Sequence, residues 1–351
     1  MTMPIKKILV VRFRRVGDAV LTTALCTSLK KSFPEAEIHY VLNSGIAPLF
    51  EGHPDVDKVI SFSNRDNGNI FRYIRRVWQV MRENKYDVII DVRSTFRTLF
   101  FALFGSSAAY RIGTRKSYNH ILHNYRIDNR SDKTTDVINH LLMLLEPLAT
   151  EARINYCSEF KLYISEDERK VFRHYMEQKG IDFSRPVILA AVAARLAHKV
   201  WNKENMKEVL RRIIEKYDAQ IIFNYAGDEE DYALNMHKEM ESNPSIFTAV
   251  KANSLRELCA LAANCDFFFG NEGGPRHLSQ ALGVPSFAIF PPGISKAMWL
   301  PAEGGDYQGI SPDDMLPRER QEGMDYQQRF NLIQVEPLWE KLDEMLQHKL
   351  K

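Results

Sequence analysis

A chain of 351 residues is too long for one ordinary core and suits two domains of usual size. Its composition, 45% hydrophobic and 26% charged, is that of a globular enzyme, and no apolar run reaches membrane-spanning length. The net charge of +2 hides an asymmetry, because residues 1–150 hold 22 Lys and Arg against 14 Asp and Glu while residues 151–351 hold 25 against 31.

The opening apolar run ends at Arg12, too early for a signal-peptide core, so Lys7 to Phe13 predicts a first strand. After Arg14-Arg15-Val16-Gly17-Asp18, apolar residues at helical spacing predict a helix over Ala19–Ser32. Strands are expected at Glu37–Leu42, Lys58–Phe62 and Asp87–Val92, with a short helix near Ala47–Glu51 and a basic amphipathic helix over Ile70–Asn84. The stretch FKLYI reads as strand-like, and a helix over Glu166–Lys179 follows it. The second half repeats the alternation: strands at Pro186–Val192, Ala219–Tyr225, Cys265–Phe269 and Ser286–Phe290, and helices at Lys203–Lys216, Ser254–Asn264 and Arg276–Leu282. Residues 301–325, rich in Gly, Pro and Asp, predict a long surface loop before a terminal helix over Glu336–Lys349. Strand–helix alternation of this kind predicts two open α/β, Rossmann-like domains, with boundaries at 1–160 and 161–335 and a C-terminal helix at 336–351. Two such domains in series are expected to place a ligand cleft between the carboxyl ends of their sheets.

Three stretches carry chemistry. Asp18 follows a glycine at a strand-to-helix turn, so it either caps the helix or presents a carboxylate able to take a proton. Gly-x-Gly-x-x-Gly is absent there, which argues against a dinucleotide cofactor. Gly270-Asn271-Glu272-Gly273-Gly274-Pro275-Arg276-His277 runs from a buried strand into a helix; Gly273 and Gly274 admit close approach of a ligand, and Glu272 can accept hydrogen bonds from sugar hydroxyls. His277 reads as an interior histidine or a donor contact. In Arg195-Leu196-Ala197-His198-Lys199-Val200-Trp201, Arg195 and Lys199 stand where positive charge would neutralise a diphosphate. Trp201 is equally a nucleotide wall and a core anchor. Asp228 to Asp231 are four consecutive acids on one turn, a solvated helix start rather than a metal cluster, so no metal site is expected. The four cysteines lack paired spacing, which suggests neither disulfides nor zinc and fits a reducing cytoplasm. The arginines of the first half are dispersed, without a nucleic-acid recognition module.

With these residues in view, the chain resembles glycosyltransferase family 9, the ADP-heptose:lipopolysaccharide heptosyltransferases of Gram-negative bacteria. The resemblance rests on KKILVVRFRRVGDAVLTTALCTSLKKSFPEAEIHYVLN, HKVWNKENMKEVL, GNEGGPRHLSQALGVPSFAIFPP and NLIQVEPLWEKL. It implies a GT-B fold, inverting transfer of heptose from ADP-heptose without a required metal or cofactor, and a role in lipopolysaccharide core synthesis. By similarity Asp18 would be the general base, Lys199 would meet the diphosphate, and Glu272 would stand where the family usually has an aspartate. Departures are Glu272-Gly273-Gly274 in place of Asp-Ser/Thr-Gly, Phe290-Pro291-Pro292 in place of Phe-Gly-Pro, and Ala191 to Ala194 without a hydroxyl residue before Arg195. The implied acceptor is anionic and membrane-held. Arg14, Arg15, Arg72, Arg93 and Arg97 are the expected acceptor contacts, and the protein is expected in the cytoplasm, peripheral to the inner membrane.

Overall fold

Each half of the chain builds a six-stranded, wholly parallel sheet, and the two sheets have the same strand order. The computed structural model describes residues 4–128, 135–301 and 303–350. In the first unit, Met1–Tyr163, the strands are β1 (Lys7–Val11), β2 (Glu37–Asn43), β3 (Lys58–Phe62), β4 (Val88–Asp91), β5 (Tyr110–Thr114) and β6 (Tyr125–Ile127), ordered β3-β2-β1-β4-β5-β6. In the second, Ile164–Lys351, they are β7 (Val187–Ala191), β8 (Gln220–Phe223), β9 (Ile246–Phe247), β10 (Phe267–Asn271), β11 (Ser286–Ile289) and β12 (Tyr307–Ile310), ordered β12-β11-β10-β7-β8-β9. Counted from each unit's first strand, both read 3-2-1-4-5-6.

The central strands are continuous apolar runs because helices cover both faces of a parallel sheet. Phe267, Phe268 and Phe269 show the alternation: the first and third enter one core of the second unit and the middle one enters the other, all fully buried. Each such burial stabilises the fold by roughly 1.5–3 kcal/mol. Gly270 next to them has φ +134°, and a Cβ there would lie 2.4 Å from the Ala191 carbonyl oxygen, so only glycine lets β10 lie against the end of β7.

Four local expectations are corrected. The helix expected over Ala19–Ser32 is two helices, Val16–Leu21 and Thr23–Ser32, meeting at Thr22. The Thr22 and Thr23 hydroxyls donate to the carbonyls of Asp18 and Val20, the competition that hydroxyl residues bring to a helix interior. FKLYI joins no sheet. It is an extended strap whose backbone is held by side chains instead: Lys161 N–H donates to Thr23 Oγ1, and the Lys161 carbonyl meets His53. Residues 301–325 are not all loop, since β12 forms the edge of the second sheet and the short helix Pro312–Met315 follows it. The terminal helix, Val335–Lys349, is part of the second unit's core, burying Leu338, Leu342, Met345 and Leu346. The unit boundary falls at Tyr163–Ile164, three residues beyond the expected one. Among the described residues no helix is long and apolar enough to cross a membrane.

Candidate active site

A 3-2-1-4-5-6 order leaves a crevice outside the carboxyl ends of the first and fourth strands, where the chain departs to opposite sides. In the first unit β1 pairs with β4 as far as Val11 and Asp91. The residues that follow β1 are Arg12 to Asp18, and those that follow β4 are Val92 to Thr98.

Asp18 is the third residue of its helix, and Oδ2 accepts from the Arg15 N–H at 3.1 Å. Oδ1 lies 2.6 Å from Arg12 Nη2, with both side chains mostly covered. The carboxylate is therefore both a cap and one half of an ion pair, so its position is fixed before any ligand arrives. Burial lowers the Arg12 guanidinium below its ordinary value; Asp18 and Tyr40 counter that, and Arg93 adds to it. Arg93 thus belongs to the same charge group. A cavity of about 390 Å³ opens among the residues after β1 and β4, lined by Arg14, Arg93 and Arg97 with Phe13, Asn67 and Tyr73 among its other walls; Asp18 is not part of its lining. Arg97 is braced, donating to the Asn67 carbonyl at 2.7 Å and standing 5.5 Å over the Tyr73 ring. Arg14 and Arg93 are exposed, and their side chains have no ion pair among the described residues. Three of the five expected acceptor arginines share this cavity. Arg15 precedes the Asp18 helix and Arg72 sits on the Ile70–Glu83 helix, both outside the lining.

Beneath the first-unit crevice lies a buried pair the sequence did not reveal. Asp91 is fully buried at the end of β4, where Oδ1 accepts from Ser94 N–H at 2.8 Å and Arg93 N–H at 3.3 Å. His123 stands 3.7 Å from its other oxygen. Burial pushes the Asp91 carboxyl up to about 6, against the pull of Thr98, Ser94 and Arg93. Burial, with Arg111 adding, pushes His123 down to about 4. At neutral pH the aspartate is the charged member.

In the second unit the equivalent crevice lies past β7 and β10. Asn271, the last residue of β10, fastens three segments: its Nδ2 donates to the Ala191 and Val192 carbonyls at 3.0 Å each, and its Oδ1 accepts from Trp201 N–H at 2.9 Å. Glu272 continues the strand, its N–H donating to the Ile289 carbonyl at 3.0 Å. Its carboxylate lies 3.5 Å from His277 Nε2 and 4.0 Å from Arg276 Nη2. Burial alone would raise this carboxyl, but His277, Arg276 and Lys199 outweigh it and hold it below its ordinary value. Arg276 is fully buried and brought down to about 10 by burial, with Glu272 opposing. It is anchored by Gln280 Oε1 at 2.9 Å and the Trp299 carbonyl at 2.6 Å.

The Gly274–Ala281 helix starts without a side-chain cap, which leaves its first N–H groups available to an anion. A Cβ at Gly274 would meet nothing within 4 Å, so packing does not demand glycine there, and the turn stands clear for a ligand. Lys199 ends a short turn, Ala197–Lys199, and its ammonium has no ion pair among the described residues. Arg195 lines a neighbouring cavity of about 320 Å³ with Tyr232, Asp228 and Glu229. Burial raises the Glu229 carboxyl there, and Asp228 adds to it.

Two residues that the sequence left between a core role and a donor role are buried. Trp201 is 1% exposed, packs in the second unit's core, and donates its indole N–H to the Ile333 carbonyl at 3.1 Å, so no face is left for a nucleotide. His277 is 4% exposed, with its ring against Arg276 and its Nε2 3.5 Å from the Glu272 carboxylate, which fits the interior-histidine alternative. The sequence alone does not single out Arg12, Asp91, Asn271 or Arg276. A polar residue ends an apolar strand in VVR, VIID and FFFGN, which marks Arg12, Asp91 and Asn271 but not their burial, and Arg276 carries no such mark.

A family model described as glycosyltransferase family 9 (heptosyltransferase) matches residues 74–298. Lipopolysaccharide heptosyltransferase 3 of Escherichia coli K12 is 22% identical over 282 residues, covering 78% of this chain and 79% of its own. Among solved structures, a glycosyl transferase family 9 protein of Veillonella parvula matches with a TM-score of 0.84 at 19% identity, covering 99% of each chain. E. coli ADP-heptose LPS heptosyltransferase II matches at 0.77 with 20% identity, covering 98% of this chain and 100% of that one. These likenesses establish the fold expected from the sequence, GT-B, built of two Rossmann-like units.

Proposed function

Because the chain belongs to glycosyltransferase family 9 and is a glycosyltransferase, we propose that it moves a heptose from ADP-heptose to a hydroxyl of the lipopolysaccharide inner core. The observation that carries this reading is the chemistry at the two strand-end crevices. One unit offers a prefixed carboxylate after its first strand and a cavity with three arginines on the loops after its first and fourth strands, and the other offers a carboxylate with an ammonium and an uncapped helix start.

An acceptor hydroxyl has a pKa far above neutrality and must lose its proton as it attacks the anomeric carbon. Asp18 takes that proton, while Arg12 and the Arg15 N–H keep its carboxylate aimed. Arg14, Arg93 and Arg97 hold the anionic groups of the acceptor through planar, charge-assisted contacts. On the donor side Glu272 accepts hydrogen bonds from sugar hydroxyls. Lys199, Arg195 and the N–H groups at the start of the Gly274–Ala281 helix stabilise the departing diphosphate. A single displacement inverts the anomeric centre. That positive field is supplied by the protein, so the reaction is proposed to run without a metal or other cofactor. The protein works at the cytoplasmic face of the inner membrane, in peripheral contact with it.

Incubation with a panel of nucleotide sugars and truncated lipopolysaccharide cores, read by mass spectrometry, tests this. ADP-heptose with a heptose-deficient core is expected to give a product one heptose heavier, unaffected by chelator. Turnover with a uridine-linked hexose and none with ADP-heptose would overturn the donor assignment.

A further inference from the structure

The Ile70–Glu83 helix buries Tyr73, Val77, Val80 and Met81 against the first sheet and so has a settled inner face. Its outer face is not that of an ordinary solvated helix. Phe71, Arg75, Trp78 and Arg82 fall at i, i+4, i+7 and i+11 and form one exposed stripe along the axis. Phe71 is 79% exposed and Trp78 43%. Ile70 at the helix start is exposed as well, and so is Leu103 on the Leu99–Phe104 helix that packs beside this one. Arg82 lies over the Trp78 ring at 5.0 Å.

The charges on this helix are as unusual as the rings. From Ile70 to Lys85 the basic residues are Arg72, Arg75, Arg76, Arg82 and Lys85, against the single acid Glu83. Arg72, Arg75 and Arg82 have no ion pair among the described residues. The same molecule supplies a control. On the Lys203–Tyr217 helix, Lys203 and Lys207 pair with Glu239, Arg212 with Glu208 and Glu336, and Lys216 with Asp343. On that helix these cations are set against acids, and on the Ile70–Glu83 helix three arginines are not.

Large rings interleaved with unpaired arginines suit a surface that is apolar below and anionic above, the boundary between headgroups and acyl chains of an anionic bilayer. Tryptophan takes its amphipathic ring to that level, and guanidinium matches lipid phosphate. At about 1.5 Å per residue the helix offers a line roughly 20 Å long, enough to lie in the interface plane. We propose that this stripe is the membrane-docking surface of the protein, binding anionic lipid through Phe71 and Trp78 with Arg75 and Arg82 on the phosphates. The inference rests on the peripheral-contact reading above and adds to it a surface and a partner; it places the bilayer, rather than the acceptor sugar, on this face.

Co-sedimentation with vesicles of phosphatidylglycerol and phosphatidylcholine in equal parts, and with pure phosphatidylcholine, tests it. Wild type is expected to bind the anionic vesicles, less at high salt, with a blue shift of tryptophan emission that the Trp78→Ser variant lacks. Phe71→Ser/Trp78→Ser should bind them at least ~10-fold more weakly at every salt concentration. Arg75→Gln/Arg82→Gln should lose a similar amount at low salt only. Both variants should keep the wild-type unfolding midpoint and full turnover on a delipidated, soluble acceptor, since these side chains are exposed. If wild type binds vesicles and the aromatic variant binds equally, the stripe is overturned while peripheral contact stands. If folded wild type binds none, both fall. Concentration-dependent dimerisation abolished by Phe71→Ser/Trp78→Ser would assign the face to a second copy and overturn the proposal.

Discussion

The two units share one sheet order yet use their polar residues differently at equivalent positions. The last residue of the fourth strand is buried and polar in both: Asp91 in the first unit, Asn271 in the second. Asp91 accepts from the N–H groups of its own loop, brings a charge into the interior and stands beside a neutral histidine. Asn271 carries no charge and both donates and accepts, so it joins the ends of two strands and the Trp201 segment. One fixes the loop that carries Arg93 to the cavity; the other rigidifies a turn that holds a carboxylate. The basic helices differ in the same direction, with arginines left unpaired on the first unit and cations matched to acids on the second. The same topology therefore ends its fourth strand in two different ways, one that charges the interior and one that ties segments together.

The comparison breaks first if the carboxylate of the first unit is not the base. Asp18→Asn keeps an oxygen that can cap the Arg15 N–H but removes the charge, and turnover should fall ~10²-fold or more. Binding of ADP to the second unit, read by calorimetry, should be unchanged. Near-normal turnover by the folded variant removes Asp18 from the reaction.

Glu272→Gln tests the other crevice. It removes one charge-assisted hydrogen-bond acceptor, so affinity for the sugar nucleotide should drop by roughly 1.5–3 kcal/mol. Affinity for ADP, which lacks the sugar, should change far less. Equal loss for both ligands would mean that Glu272 holds the turn rather than the sugar.

Trp201→Phe sharpens the reassignment of that side chain. It strands the Ile333 carbonyl and removes buried volume, so the unfolding free energy should fall by roughly 2 kcal/mol in denaturant titration. ADP affinity should stay as it was. A weaker ADP complex with unaltered stability would return Trp201 to the nucleotide.

The strand–helix alternation was legible because buried parallel strands are unbroken apolar runs, as in KILVV and VILAA. The strands YRIGT, YRI, IF and YQGI were not, being two to five residues long and, IF apart, partly polar. Asp18, Lys199, Glu272 and the cavity arginines could be named because each follows a strand closely in sequence. Arg12, Asp91 and Arg276 could not, since their significance comes from burial and from partners set by the fold. Trp201 stood open between two roles because its deciding partner, Ile333, is 132 residues away.

The smallest expected effect concerns the buried pair under the first crevice. Asp91 has a folded-state value raised to about 6, above the about 3.9 of an unfolded aspartate, so the native state takes up its proton first. Its contribution therefore grows more favourable as pH falls from about 6 to about 4. His123 is the reverse: held near about 4 when folded and about 6.5 when unfolded, it loses stability for the native state over almost the same window. In wild type the two slopes largely cancel. Asp91→Asn keeps the oxygen that accepts from Ser94 but removes the titration, leaving the His123 slope unopposed. Relative to wild type, the variant's unfolding free energy should then fall by about 1 kcal/mol between about pH 7 and about pH 5. A His123→Gln/Asp91→Asn double variant should lack both slopes. Denaturant titrations of the three proteins across that range decide the matter: parallel curves for Asp91→Asn and wild type would show that the end of β4 does not titrate there, and that the first unit's strand end is electrostatically as quiet as the second's.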